Sequence, residues 1–510
     1  MTFTSWLFPA FVAASLLLYA LVPRRGRWIV LLAASCGFYL CGGWKTAGYL
    51  LFTILTTYAA GLWLGRLCAA KPQSEKEKTG LKRRKKAVVL FTLLADFGML
   101  YFLKYWSFTV SLLKLPISAP ERLLPLGVSF FIFQSAGYVV DCYRGKYPPE
   151  KNPAKYALFV SFFPQMVQGP ISRCHDLLPR LTEGRPLSAD GLKFGIQRAM
   201  WGYFKKLVIA ERAGALVNAI LADYSSRSGS VLAVGIFFYC IQLYCDFSGG
   251  IDITVGVAEM FGVRLPENFR RPLFATSLAD YWRRWHITLG QWMRDYVFYP
   301  LSLSKPLARL GKWTRKHIGG KLGKLIPASI ATFTVYFIIG IWHGANLRYV
   351  FYGFWNGAII TASFLLESRY AAWREKLGIR EKSILWRAFQ MLRTSLLVFF
   401  GRYFTRAPRL LSAFWMLAQL VRRPGLSDLW NGTLLTFGLK LSDILIVLAG
   451  QAAVLAVEAV QERGVRVRQR LEEKHWLVQW VAIIVPMALI LFLGILRGSY
   501  IPSAFIYQQY

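Results

Sequence analysis

Long apolar runs, separated by short basic or proline-rich stretches, set the pattern of this chain. Residues 5–22 (SWLFPAFVAASLLLYALV) predict a first span, and 28–44 and 46–69 a tight helical pair. Another span is predicted at about 87–113. Residues 191–222 and 229–250 predict further helices, the second ending in YCDFSGG. Apolar segments follow at about 325–343, 349–367, 386–402, 406–421, 430–460 and 476–497. A hydrocarbon core of about 30 Å takes about 20 apolar residues to cross, so the pattern predicts an all-α polytopic membrane protein of roughly ten to twelve helices.

Two regions depart from simple spans. Residues 114–185 carry prolines between apolar patches too short to cross, and irregular backbone at membrane depth survives only when buried in protein or lining a cavity. Re-entrant or interfacial elements are therefore expected, with LPLGVSFFIFQSAGYVVD (124–141) and FVSFFPQMVQGPISR (159–173) as the main pieces. Residues 250–300 are amphipathic and aromatic-rich. A helix over 275–300 places Trp282, Trp285, His286, Leu289, Trp292 and Met293 on one face, with Arg283, Arg284 and Arg294 turned to headgroups or an acidic substrate.

Composition supports the membrane reading: 55% of residues are hydrophobic and 17% charged, against about 25% charged in soluble domains. The net charge of +36 sits mainly in short connections. PRRGR follows the first span, and Lys71–Lys86 holds eight Lys/Arg against two Glu. Both fall on one side if two spans separate them, which predicts a cytoplasmic side there and an N-terminus outside. The charge following the first span, rather than preceding it, speaks against a signal peptide. Loops 304–324, with a solvated His317, and 461–475 are basic as well. No nucleic-acid motif accompanies the charge; anionic lipid and an anionic donor are the expected partners. The seven cysteines make no CxxC pair and no common metal spacing, so no metal site is expected.

Candidate chemistry is sparse. His343 follows the charge-free run from Ile330 to Trp342, and an ionisable group in such a place is a functional candidate by default. The alternative is a histidine that bonds a neighbouring helix. Asn346 is placed to share its face, orienting the imidazole or binding substrate. His286 is either a second active-site histidine or an interfacial anchor among tryptophans. A neutral imidazole suits the removal of a proton from a hydroxyl, and two can divide the task between base and donor. Asp246 and Ser248 are candidates for a cavity wall or a helix cap, and Gln134 for substrate contact. HExxH, GxSxG and P-loop patterns are absent, which argues against a zinc protease, a serine hydrolase and an ATPase.

The blocks PLGVSFFIFQ, FFPQMVQGPISR, QLYCDFSGGIDITVG, ENFRRPLFATSLADYWRRWHITLGQWMRDYVFYPL and GIWHGAN, in this order, resemble the bacterial membrane-bound O-acyltransferases, most closely the alginate O-acetylase type. The likeness is strong over roughly 1–360, and the terminal FIYQQY resembles that family's aromatic tail. It implies one membrane domain over 1–510, with N-terminal helices (1–113), a catalytic core (114–360) and C-terminal helices (361–510) around a central funnel. It also implies His343 as the catalytic histidine and His286 as the second. Trp282, Arg283, Trp285, Asn346, Asp246, Ser248 and Gln134 are carried as substrate-binding candidates. The implied reaction moves an acyl group, expected to be acetyl from acetyl-CoA with no bound cofactor, towards an exported or cell-surface polysaccharide. An extracytoplasmic partner of SGNH type and a bacterial plasma-membrane location go with it. Two alternatives are a D-alanyl transferase for teichoic acid, disfavoured by chain length, and a polysaccharide transporter or flippase, disfavoured by the lack of an internal repeat.

Overall fold

The structure, a computed structural model, describes residues 2–117 and 124–494. The C-terminal FIYQQY lies outside them. The described residues are overwhelmingly helical, and β-pairing among them is limited to an isolated antiparallel bridge between Phe269 and Trp285. Among the described residues six helices are long and apolar enough to cross a membrane: Trp44–Ala69, Glu75–Lys104, Gly229–Met260, Leu322–His343, Leu441–Glu462 and Trp476–Leu493. A seventh arises if Leu347–Leu365 and Glu367–Lys376, bent by 61°, form one span. Two further expected spans, Leu7–Leu21 and Leu410–Arg422, are shorter apolar helices, and 386–402 lies in the 23-residue helix Ile384–Arg406. The chain is an all-α polytopic membrane protein.

Local signals place the helix starts. Ser74 accepts from the Glu77 N–H, so the basic stretch read as a loop over 71–86 is instead largely helical from Glu75. Ser304 and Pro306 do the same for Lys305–His317, where His317 is not a bare loop residue but stacks on Trp313 at 4.8 Å. The helix expected to end in YCDFSGG continues to Met260.

The chain divides into two compact units, 2–203 with 249–266, and 204–248 with 267–494; the division runs through the 114–360 stretch. In the first unit, the described part of the proline-broken region forms helices too short to cross a membrane. Val128–Tyr143 is buried almost all round, and Asn152 caps Pro153–Ser161 by accepting from the Ala154 and Lys155 N–H groups.

In the second unit, the Gly320–His343 and Leu347–Leu365 helices form a close hairpin. A Cβ at Gly340 would meet the Gly353 Cα at 2.6 Å, and one at Gly353 would meet the Tyr336 carbonyl oxygen at 2.7 Å. Small residues let helix backbones approach in this way. The approach seats Tyr352 beside His343, their ring centroids 5.8 Å apart. Gly353→Val is expected to lower stability by about 1–3 kcal/mol through overpacking. Thermal unfolding in detergent checks this, and acyl transfer should fall with it.

Candidate active site

The segment expected to be one helix over 275–300 is broken at its centre. Ser277 caps Leu278–Arg284 by accepting from the Asp280 N–H at 3.1 Å. Trp285 then turns extended to bridge Phe269, and His286 adopts a left-handed conformation (φ 48°, ψ 52°) before Ile287–Met293 begins. The cause lies upstream: the Arg270 N–H donates to the Arg284 carbonyl at 2.9 Å and the Ile287 N–H to the Asn268 carbonyl at 3.0 Å. Those bonds hold 284–287 against 268–270, so Trp285 and His286 do not share a helical face with Trp282 and Trp292. A left-handed non-glycine residue costs of order 1–3 kcal/mol and tends to mark functional sites.

The structure brings the two histidines together around one indole. His286 and His343 lie 5.7 Å and 5.0 Å from the Trp342 ring. From there a closed circuit of side chains runs through the site. His343 meets Tyr352 edge-on, and the Tyr352 hydroxyl accepts from Arg402 Nη1 at 3.0 Å. Arg402 Nη2 donates to the Tyr281 hydroxyl at 2.7 Å, and Tyr281 stacks on Trp285 at 5.5 Å. Trp285 contacts Phe247, which meets His286 at 4.9 Å.

Each imidazole is oriented by an acceptor that cannot donate. His343 Nδ1 lies 2.6 Å from the Ile339 carbonyl oxygen one turn back. A carbonyl only accepts, so the proton sits on Nδ1 and the lone pair on Nε2. His286 Nδ1 lies 3.4 Å from Asn268 Oδ1. That oxygen also receives the Thr288 N–H at 3.0 Å, which identifies it as the amide oxygen, so His286 Nδ1 donates too. His286 is 1% exposed. Burial first, and the neighbouring His343 second, push its pKa down to about 3, so it is neutral at ordinary pH.

The other candidates are distributed differently. Trp282 Nε1 donates to Asn356 Oδ1 at 3.0 Å, and Asn356 Nδ2 to the Tyr352 carbonyl at 2.8 Å, which ties Trp282 to the wall of the site. The Arg283 side chain is 70% exposed and pairs with Asp280 at 3.4 Å. Asn346 does not share the face of His343, because the helix ends at His343; it caps the next helix, accepting from the Arg348 N–H at 3.1 Å. Asp246 and Ser248 lie inside the Gly229–Met260 helix rather than at a cap. Asp246 pairs with the buried Lys206 at 2.6 Å, Lys206 reaches Glu211 at 2.5 Å, and Ser248 accepts from Lys205 at 2.9 Å. They flank Phe247 and so brace the His286 side of the circuit. Gln134 lies in the first unit, where it donates to the Phe159 carbonyl at 2.6 Å and accepts from Gln165 at 3.1 Å.

Sequence reasoning did not single out Arg402, Tyr281, Tyr352 or Asn268. Arg402 carried a signal, a cation at the end of the apolar segment 386–402. Arg402 is 4% exposed, its guanidinium over the Trp285 ring at 5.2 Å. Tyr281 also lines an apolar cavity of about 880 Å³ with Phe237, Leu273, Phe399 and Leu448. Its wall suits hydrocarbon rather than a nucleotide or a sugar.

This is a paired-imidazole centre in a helical membrane protein, with each Nδ1 facing a protein acceptor. Residues 150–392, which contain both histidines, match the family model of the membrane-bound O-acyltransferases. A probable alginate O-acetylase AlgI of Pseudomonas aeruginosa is 31% identical over 444 residues, 83% of this chain and 77% of that protein. The chain belongs to the membrane-bound O-acyltransferase family. It is an O-acyltransferase. The chain is also similar to a peptidoglycan O-acetyltransferase of Helicobacter pylori, 28% identical over 66% of this chain and 63% of that one. A teichoic acid D-alanyltransferase of Bacillus subtilis is 26% identical over 54% of this chain and 67% of that one.

The depressed pKa of His286 gives a pH test of this acyltransferase. The unfolded chain takes up the proton near pH 6.5 and the folded one only near pH 3, so stability falls as pH drops across that window. One such proton contributes a slope of up to about 1.4 kcal/mol per pH unit. His286→Asn, which tolerates the left-handed backbone, is expected to keep the fold and flatten the slope between pH 6 and 4. Detergent unfolding curves at several pH values check it.

Proposed function

We propose that this acyltransferase moves an acetyl group from acetyl-CoA, presented at the cytosolic side, towards a hydroxyl of an exported or cell-surface polysaccharide. The enzyme is placed in a bacterial plasma membrane with its N-terminus outside. His343 is the general base. The observation that carries this role is the bond from His343 Nδ1 to the Ile339 carbonyl, which leaves Nε2 as the proton acceptor. His343 takes the acceptor's hydroxyl proton as its oxygen adds to the thioester carbonyl. The tetrahedral intermediate then collapses, the C–S bond breaks, and the proton passes to the departing thiolate. His286, neutral and held by Asn268, assists as the second imidazole.

Support for acetyl comes from the relatives named as O-acetylases, which match more of this chain than the D-alanyl transferase does. The direct acceptor is proposed to be an extracytoplasmic SGNH-type protein that completes transfer to the polymer. D-alanyl transfer from a carrier-protein thioester uses the same base and differs in donor.

His343→Ala is expected to lower transfer by about 10²–10⁴-fold. The measurement is alkali-labile acetate and alanine on surface polymers at matched membrane expression. Loss of acetate alone supports the reading, and loss of alanine moves the donor to an aminoacyl carrier. Retention of both esters, with reduced polymer export, contradicts acyl transfer at this site.

A further inference from the structure

The proposed reaction needs a hydrogen-bond donor that neither histidine supplies. Adding a hydroxyl to a thioester carbonyl turns its oxygen into an oxyanion, which needs preorganised donors in a water-poor site. Both histidines spend their Nδ1 protons on protein acceptors, Ile339 and Asn268, so neither neutral imidazole offers one through Nε2. The nearby cations are engaged: Lys206 with Asp246 and Glu211, Lys205 with Ser248, and Arg402 with two tyrosine hydroxyls. The Thr288 hydroxyl donates to Asn268 Oδ1 at 2.9 Å.

We propose that Asn268 is a further catalytic residue, whose Nδ2–H donates to the carbonyl oxygen of the acyl group and stabilises the oxyanion. Asn268 is 0% exposed. Its amide cannot flip, because Oδ1 accepts from the Thr288 backbone N–H, the Thr288 hydroxyl and His286 Nδ1. The backbone around it is fixed as well, through the Ile287 N–H on its carbonyl and the bridge at Phe269. Nδ2 has no acceptor among the described residues. A buried donor left unmade costs about 1–3 kcal/mol, so native proteins seldom retain one without a use. This one belongs to the amide that holds His286, at the catalytic centre, and the acyl oxygen is the acceptor it lacks.

The electrons and protons balance. The acceptor oxygen forms a bond to the acyl carbon, its proton goes to His343 Nε2, and the carbonyl π pair moves onto the oxygen held by Asn268. Return of that pair breaks the C–S bond, and His343 returns the proton to the thiolate. The inference rests on the two-histidine reading above, and the test separates the two.

Asn268→Asp keeps an oxygen for Thr288 and His286 and removes the Nδ2 donor. Thr288→Val removes one of the three donors that hold Oδ1 and leaves Nδ2 in place. His343→Ala tests the base. The initial rate of alkali-labile ester accumulation on surface polymers is measured for all three in cells, at matched membrane levels and with melting temperatures. The expected result is a loss of about 10²–10³-fold in Asn268→Asp, a loss below tenfold in Thr288→Val, and a loss of about 10²–10⁴-fold in His343→Ala. Near-normal rates in Asn268→Asp with an inactive His343→Ala overturn the inference alone. An active His343→Ala overturns the base assignment. Equal losses in Asn268→Asp and Thr288→Val reduce Asn268 to a structural pin and also overturn the inference. If Asn268→Asp does not accumulate, Asn268→Ala takes its place, and the inference then requires a loss at least tenfold greater than that of Thr288→Val.

Discussion

The bond from His343 Nδ1 to the Ile339 carbonyl is the constraint on which the rest of the site depends. It lies within one helix turn, so the helix that carries the imidazole also fixes its proton. The surrounding packing makes this useful. Gly340 and Gly353 bring the following helix in close, and that approach delivers Tyr352 to the edge of the His343 ring. Arg402 locks Tyr352 and Tyr281 through their hydroxyls, and Tyr281 holds Trp285.

His286 is controlled by the opposite device. Its position comes from a break in helix, imposed by backbone bonds to 268–270 and accepted at the expense of a left-handed residue. Burial there would be costly for an imidazolium, so the ring stays neutral. The fully buried lysine–carboxylate cluster of Lys206, Asp246 and Glu211 braces the neighbouring helix that carries Phe247. Ion pairs of this kind are weak sources of net stability, but breaking one by removing a single partner is strongly destabilising. That is a reason for such a cluster to hold its geometry beside the paired histidines.

Much of this was legible in the sequence because hydropathy reports what lipid requires. His343 stood out as an ionisable group closing a charge-free run, and 114–185 as too broken to be simple spans. The misreadings have a common physical origin. Helical periodicity over 275–300 cannot register that Asn268 and Phe269, outside the window, compete for the backbone of 284–287. Asn346 looked like a partner on the face of His343 because spacing does not show that the helix stops there. Asp246 and Ser248 stayed open between a cavity wall and a helix cap because their lysines lie about 40 residues away along the chain. Asn268 gave no signal of its own; only the three donors converging on its oxygen reveal what its nitrogen is left to do.

The most direct test of the central claim is ¹⁵N magnetic resonance of the purified full-length protein in bilayers, with labelled histidine and His343→Gln as the assignment control. Neutral His343 is predicted to carry its proton on Nδ1 and to have an unprotonated Nε2. A His343 signal from the tautomer protonated on Nε2 would contradict it, because the nitrogen assigned to take the acceptor's proton would already be occupied.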